Sequence, residues 1–379
     1  MKVAYFTESL PPLVDGVTRT LTRLADTLEK DQVPYRFYSP VKPDESIYWR
    51  DKVRKVASVP FPLYSYYRIG LPYFHGLWRE LDAFKPDLLH VCSPTLLGLY
   101  ALRYARGKNI PVVASYHTHF VSYFPYYGLE QMERVGWNYL HWFHNQCQRT
   151  FVPSNSTAEQ LCDEGIANVT LWQRGIDLHH FSPQHRHAEL RRSVGADDRP
   201  LLLYVGRLVK EKDLDDLVQA ALYLNRTGCR YALVFIGTGP MQTELQKKLP
   251  FAHFIGNKQG HELAQWYASA DLFVFPSTTE TFGNVILEAL ASGTPAVGVA
   301  AGGVRDLIKS GVNGWLTRPK DPAHFGGALR WLLEDETSRK ALAGRARPSV
   351  QKFDWDFINR RLLSDYVAIL THHTKRRAA

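Results

Sequence analysis

Short apolar, β-branched runs alternate with longer amphipathic stretches along almost the whole chain, the pattern of βαβ units and parallel sheets. In the first half the strand-like runs are Val3–Thr7, Val33–Ser39, Asp87–Cys92, Pro111–His117, Thr150–Ser154 and Val169–Arg174. In the second half they are Leu201–Gly206, Tyr231–Gly237, Ala252–Gly256, Asp271–Pro276, Pro295–Val299 and Gly314–Thr317. Helical patterns such as Val17–Lys30 and Asp213–Arg226 lie between them. The order repeats while the residues do not, so two similar α/β architectures are expected rather than tandem repeats. The stretch Asp177–Pro200 is polar, His-rich and bracketed by prolines, and the domain boundary is placed within it. From Trp355 to Thr374 apolar residues recur at helical spacing (Phe357, Ile358, Leu362, Tyr366, Ile369, Leu370). This last helix has no following strand and is free to reach back over the first domain. The expected division is residues 1–180, residues 181–350 and a terminal helix over 351–379.

Length supports two domains, because 379 residues exceed one ordinary hydrophobic core. Cys92, Cys147, Cys162 and Cys229 form no CxxC pair, so neither a disulfide scaffold nor a structural zinc site is expected. The opening MKVAYFTESL is interrupted too early by Glu8 for a signal peptide. No apolar stretch approaches the roughly 18 residues that span a bilayer. A cytoplasmic protein is expected, at most peripheral on the cytoplasmic membrane face.

Charge and aromatic content add a surface to that picture. Of the net charge of +9, about +7 lies between Ser338 and Ala379, where ten Lys/Arg face three Asp/Glu. Such a surface attracts anions, whether lipid, phosphorylated small molecule or nucleic acid, though a solvated helix face has the same composition. Ile47–Arg79 interleaves nine aromatics with six Lys/Arg, and Tyr116–Phe143 holds ten aromatics. These mixtures suit a headgroup-level membrane interface or an aromatic-lined acceptor groove, and equally suit core packing.

Four motifs carry candidate chemistry. In DLFVFPSTTETFGNVILEALASGTPAVG a buried strand ends at Pro276, Glu280 lies in the following loop, and a helix opens near Asn284 as its cap and stops at Gly293. Glu280 and Glu288 can accept hydrogen bonds from sugar hydroxyls at the carboxyl edge of a sheet, where ligands of open α/β folds bind. Glu288 is placed for a ribose and Glu280 for the transferred hexose. The helix opening offers backbone N–H groups to phosphate. In LLLYVGRLVKEKDLDDLV a strand ends at Gly206, with Arg207 and Lys212 on the connection to the next helix. Two fixed cations there would stabilise a departing nucleoside diphosphate without a metal ion. In TESLPPLVDGVTRTLTRLA the turn Asp15-Gly16 feeds a helix beginning near Val17, and the absence of G-x-G-x-x-G argues against a nicotinamide site. In PVVASYHTHF, His117 closes a buried strand and His119 follows; His117 is the candidate to meet a hexose or a developing charge.

GRLVKEK, FIGTGP, ADLFVFPS, the Glu-x7-Glu motif ETFGNVILE and EALASGTPAVG, with DGVTRTL, SYHTHF, FVPSNST and RGIDLHHFSP in the first half, resemble the family-four group of retaining glycosyltransferases. The resemblance covers nearly the whole chain. It implies the GT-B fold, with two Rossmann-like parallel-sheet domains facing across a cleft and the C-terminal helix returning to the first domain. It also implies that Arg207 and Lys212 hold the donor pyrophosphate with Gly16 close to it, while Gly206, at its strand end, is expected to allow close backbone approach of the donor. Glu288 would hold the ribose, Glu280 the donor hexose and His117 the hexose from the opposing domain, while Phe282, Gly283 and Asn284 supply backbone amides. No cofactor and no divalent metal are implied. Configuration is retained, with the leaving phosphate oxygen as base.

SYHTHF and the aromatic stretch after it are similar to two subsets of that group. One comprises α-mannosyltransferases acting on lipid or polysaccharide acceptors, which favours GDP-mannose as donor. The other glycosylates diacylglycerol from a UDP-hexose: glucose, glucuronic acid or sulfoquinovose. An anionic membrane surface is the expected partner, and nucleic acid is not, since no recognition motif accompanies the basic tail. The competing readings are a soluble-acceptor enzyme, an epimerase or phosphorylase of similar architecture, and a non-catalytic nucleotide-sugar-binding subunit. Intact Arg207, Lys212, Glu280 and Glu288 weigh against the last.

Overall fold

The computed structural model describes residues 1–61, 64–71, 76–117 and 119–378, and the chain divides into two compact units. One comprises Met1–Val121, Glu130–Arg174 and Trp355–Ala379, the other Ser122–Leu129 and Gly175–Asp354. The chain therefore leaves the first unit at Arg174 rather than at residue 180, and returns at Trp355 rather than 351. Local contacts explain the crossing point. Trp172 and Arg174 are buried in the first unit, whereas the Ile176 N–H already donates to the Phe353 carbonyl (2.9 Å) in the second.

The strands of the first unit are β1 (Val3–Phe6), β2 (Tyr35–Ser39), β3 (Val53–Lys55), β4 (Ser58–Phe61), β5 (Tyr64–Gly70), β6 (Leu88–Val91), β7 (Val112–Ser115), β8 (Arg149–Val152) and β9 (Val169–Leu171). Seven of them form a parallel sheet in the order β3-β2-β1-β6-β7-β8-β9. Every residue of β1, β6 and β7 is buried, as expected of parallel strands covered on both faces. β4 and β5 pair antiparallel as a separate ribbon. β3 to β5 have no counterpart in the apolar pattern, because their segment interleaves aromatics with cations along the sequence and carries Pro60 inside a strand. Residues 62–63 and 72–75 of that aromatic segment, Thr118 of SYHTHF and Ala379 of the basic tail lie outside the described residues.

The helix Gly16–Lys30 begins where the Asp15 carboxylate accepts the Thr18 N–H (2.6 Å), and it buries Leu21, Leu24, Ala25 and Leu28. The last helix, Trp355–Ala378, packs against it through a buried amide. Asn359 Nδ2 donates to the Arg23 carbonyl (3.1 Å) and to Thr27 Oγ1 (3.0 Å), while its Oδ1 accepts the Trp172 indole N–H (3.3 Å). Ile358, Leu362, Tyr366 and Ile369 are buried; Phe357, read from its spacing as part of the same face, is 65% exposed.

The second unit has β10 (Leu201–Val205), β11 (Ala232–Ile236), β12 (His253–Phe254), β13 (Leu272–Phe275), β14 (Ala296–Val299) and β15 (Gly314–Thr317). They form a parallel sheet in the order β12-β11-β10-β13-β14-β15, with β10, β11, β13 and β14 wholly buried. Arg347, on the helix Glu336–Val350, fastens the entering chain: its guanidinium donates to the carbonyls of Leu178 (2.8 Å), Phe181 (2.7 Å) and Ala291 (2.6 Å).

Removing the Asn359 amide strands the buried Trp172 indole N–H, while the Arg23 carbonyl keeps the Thr27 hydroxyl (3.1 Å). An unsatisfied buried donor costs about 1–3 kcal/mol. Asn359→Ala is expected to lower stability by about 1–3 kcal/mol, read from the midpoint of urea unfolding followed by tryptophan fluorescence.

Candidate active site

In the second unit the strand order reverses between β10 and β13, so the loops leaving these neighbouring strands diverge and open a crevice at the carboxyl edge. Both candidate cations and Glu280 lie on those two loops. After β10 come Gly206 and Arg207, then a short 3-10 turn, Lys210–Lys212. After β13 come Ser277, Thr278, Thr279 and Glu280. Lys212 Nζ donates to Glu280 Oε2 at 2.5 Å, and both side chains are largely withdrawn from solvent (11% and 22% exposed). The ammonium also lies 5.6 Å from the centroid of the Phe275 ring. Arg207 Nη2 pairs with Glu211 Oε1 (3.2 Å), whose side chain is 1% exposed.

Asp213 ties the two loops together. It adopts a left-handed backbone (φ 51°, ψ 36°), which Asp tolerates better than most residues. Its Oδ2 accepts the Thr278 N–H (2.8 Å) and hydroxyl (2.6 Å), and its Oδ1 accepts the Tyr126 hydroxyl (2.7 Å). The Glu211 carbonyl adds a bond from the Thr279 hydroxyl (2.8 Å). Lys212 and Glu280 are thus delivered by loops cross-linked on both sides of their ion pair.

Glu280 is followed by Thr281, Phe282 and Gly283, then by the helix Asn284–Ala291. Gly283, not Asn284, is the helix cap. Gly283 adopts φ 98°, a region glycine enters without strain, and Asn284 is the first helical residue. The opening N–H groups of the helix have no intrahelical acceptor and face the loop end, where an anion binds most readily. The Phe282 side chain serves packing, 3% exposed against the Phe353 ring (6.1 Å). The helix ends as read from the sequence: the Gly293 N–H bonds the Leu290 carbonyl and the Thr294 N–H that of Ala289. Glu288 is buried (2% exposed) and accepts the Tyr267 hydroxyl on Oε2 at 2.8 Å. Behind the loop, Gly303 donates its N–H to the Glu280 carbonyl (2.7 Å). A Cβ at Gly303 would sit 2.4 Å from Phe282 Cα, so only glycine allows this approach.

The first unit has its own reversal of strand order, between β1 and β6. Glu8, after β1, is fully buried and accepts the hydroxyl of Thr95, which follows β6. Burial pushes its carboxyl from the usual 4.5 up to about 7, against the hydrogen bonds of Thr95 and Ser93. Gly16 opens the helix after this loop. His117 stands two residues beyond β7; Arg174 Nη2 donates to its Nδ1 at 2.6 Å. Burial, then the Arg174 charge, then His90 hold the His117 ring well below the ordinary histidine range. His119 packs as core: it is 9% exposed against Trp137 (5.2 Å), and burial lowers it to about 4.

Arg207, Lys212 and Glu280 therefore meet at one switch point, with Gly206 and the Phe282–Asn284 segment on the same loops. Glu288 lies on the helix that follows that segment, buried and bonded by the Tyr267 hydroxyl, and Gly16 and His117 belong to the other unit. Sequence reading missed Asp213, Glu211, Tyr267 and Arg174. Asp213 and Glu211 stand inside the motif VKEKD that was singled out for its cations, and Arg174 opens RGIDLHHFSP; their partners are too distant in sequence for spacing to expose.

Residues 14–180 match the family model described as Glycosyltransferase Family 4, and residues 187–348 match the one described as Glycosyl transferases group 1. A GDP-mannose-dependent alpha-mannosyltransferase of Mycobacterium tuberculosis is 35% identical over 100% of this chain and 99% of its own. A sulfoquinovosyl transferase of Arabidopsis thaliana is 36% identical over 79% of this chain and 60% of its own. Among solved structures, sucrose-phosphate synthase from Thermosynechococcus elongatus superposes with a TM-score of 0.80 at 21% identity, covering 98% of this chain and 99% of that one. Anabaena HepE in complex with UDP and glucose gives 0.76 at 21% identity, over 97% of this chain and 100% of that one. At such identities these two show the fold alone.

Two outcomes test the geometry. Asp213→Ala releases Thr278 and with it the register of Glu280; turnover is expected to fall about a hundredfold with the circular dichroism spectrum unchanged. Glu8, whose pKa is higher folded than unfolded, favours the folded state fully below about 4.5, and that contribution is lost as pH rises through about 7. The loss amounts to about 3 kcal/mol. Glu8→Gln is expected to flatten the dependence of urea stability on pH between 5 and 8.

Proposed function

The chain belongs to the family 4 glycosyltransferases, and from that premise we propose that it moves a hexose, mannose in first place, from GDP-mannose to a membrane lipid or glycan with retention of anomeric configuration. That it is a nucleotide-sugar-dependent hexosyltransferase of GT-B fold follows from its relatives and from its two parallel-sheet units. The observation that carries the mechanism is the pairing of Lys212 with Glu280 at the switch point, with Arg207 on the same loop.

In this reading Arg207 and Lys212 face the donor diphosphate and stabilise the charge that develops as the C1–oxygen bond breaks. Glu280, its own charge balanced by Lys212, accepts hydroxyl groups of the hexose. Glu288, oriented by Tyr267, accepts those of the ribose, and the N–H groups at Gly283 and Asn284 meet phosphate oxygen. Gly16 and Gly206 leave room for the diphosphate, and His117 donates to the hexose. The acceptor hydroxyl attacks the face that the leaving group departs, and its proton passes to the leaving phosphate oxygen. The two cations stand in for a divalent metal, so chelator is expected to leave the rate unchanged.

Mannose from GDP-mannose is favoured by the full-length similarity to three enzymes named GDP-mannose-dependent alpha-mannosyltransferase. A second reading, transfer from a UDP-sugar to diacylglycerol, is favoured by the similarity to the Arabidopsis sulfoquinovosyl transferase and to an alpha-monoglucosyldiacylglycerol synthase of Streptococcus pneumoniae. A membrane-held acceptor suits the helix Glu133–His144, which buries Trp137, Leu140 and Phe143 and exposes Val135 (55%) and Trp142 (48%) seven residues apart on its outer face. No described helix is long and apolar enough to cross a membrane, and a cytoplasmic-face location is part of the proposal.

The deciding experiment offers a panel of nucleotide sugars together with a membrane lipid extract. Product mass and anomeric coupling are expected to show an α-mannosyl lipid; a β-anomer refutes retention, and a product from UDP-sugars alone selects the second reading. Lys212→Ala and Arg207→Ala are each expected to cut turnover about 10²–10³-fold. Glu288→Ala is expected to weaken donor binding by calorimetry. Anionic vesicles are expected to pellet the protein at low salt and release it at high salt.

A further inference from the structure

In the first unit a buried cation meets a histidine ring at Nδ1. Arg174 is 4% exposed; Nη1 donates to the Trp172 carbonyl (2.9 Å), Nη2 to His117 Nδ1 (2.6 Å), and the guanidinium lies 5.1 Å from the Trp172 ring centroid. The same indole meets the His117 ring edge-on at 5.6 Å. Guanidinium has five N–H donors and no acceptor. The hydrogen bond therefore requires a lone pair on His117 Nδ1, and the single proton of a neutral imidazole resides on Nε2. An imidazolium has no lone pair to offer and would place two cations in contact.

We infer that Arg174 is a positioning residue for sugar transfer, fixing His117 as the neutral tautomer whose Nε2–H donates to an oxygen of the hexose. This rests on the reading that His117 meets the hexose. A histidine whose Nδ1–H is held by a carboxylate or carbonyl keeps Nε2 as a base or metal ligand. Here a cation occupies Nδ1 and reverses the polarity, so the ring is a donor and no proton acceptor. The groups around the pair reinforce this. His90, on β6, is lowered to about 3 by burial and then by Arg174, with Tyr366 and Ser115 as its hydrogen-bond partners. The Cys92 thiol and the Tyr5 and Tyr366 phenols are pushed up by burial and stay protonated. Arg174 is itself lowered by burial, to about 9, and remains a cation at neutral pH.

The test uses the full-length enzyme labelled with ¹⁵N, with the His117 imidazole assigned by its loss in His117→Gln. Two-bond ¹⁵N–¹H correlations are expected to show the Nε2–H tautomer, unchanged from pH 5.5 to 8. A proton on Nδ1 in the wild type overturns the inference. Glutamine puts an amide N–H where Nε2 lies, and asparagine puts one where Nδ1 lies. His117→Gln is therefore expected to lose about tenfold in kcat and His117→Asn about a thousandfold. Arg174→Lys retains a donor and most of the turnover. Arg174→Met is expected to lower kcat with donor KM little changed, to mix the two tautomers, and to add an acid limb to the pH–rate profile. A fall in turnover with tautomer and pH profile intact reduces Arg174 to packing and overturns the inference. If Arg174→Met does not fold, the wild-type spectrum and the Gln/Asn pair decide alone. Near wild-type rates in both His117 variants, beside a confirmed Nε2–H tautomer, refute instead the placement of His117 on the hexose.

Discussion

Two loops that leave adjacent parallel strands in opposite directions have no backbone pairing to hold them in register, and the site of the second unit depends on solving that problem. The solution is side-chain hydrogen bonding. Asp213, on the loop after β10, takes both the N–H and the hydroxyl of Thr278 on the loop after β13. With that anchor in place, Lys212 and Glu280 approach to 2.5 Å, largely out of water. A pair so withdrawn stabilises little by itself, because each charge gives up hydration to enter it. Its consequence is geometric: cation and carboxylate are held at fixed positions before any ligand arrives. Gly303 closes the arrangement from behind by bonding the Glu280 carbonyl, an approach that a side chain at that position would block.

The buried polar groups of the first unit are handled differently. Glu8 accepts from the Thr95 hydroxyl, His90 bonds the hydroxyls of Tyr366 and Ser115, and Arg174 bonds the His117 ring and the Trp172 carbonyl. Burial moves each of them toward its neutral form, to about 7 for Glu8, about 3 for His90 and about 9 for Arg174, with His117 also lowered.

The sequence pattern located all twelve strands of the order later seen in the two sheets, other than β3, because buried parallel strands are uninterrupted apolar runs such as Val3–Phe6 and Leu272–Phe275. It failed on β3 to β5, whose sequences VRK, SVPF and YSYYRIG are short or mixed and include no uninterrupted apolar run. Asn284 looked like a helix cap because its type caps well; the chain instead enters the helix through a left-handed residue one place earlier, Gly283 at φ 98°, a conformation glycine adopts without strain. Arg207, Lys212 and Glu280 were legible because they punctuate strand ends. Arg174 was not, since its meaning arises from a histidine 57 positions away.

The closing helix has a consequence for biosynthesis. Asn359 and Tyr366 occupy the interior of the unit that begins at Met1, so that interior is incomplete until residue 366 has emerged from the ribosome. The second unit, contained within residues 122–354, needs nothing that far downstream. During translation the later-encoded unit is thus the first able to finish folding, while the earlier one waits with apolar surface uncovered, the state that chaperones recognise. Vectorial synthesis and spatial completion run in opposite orders.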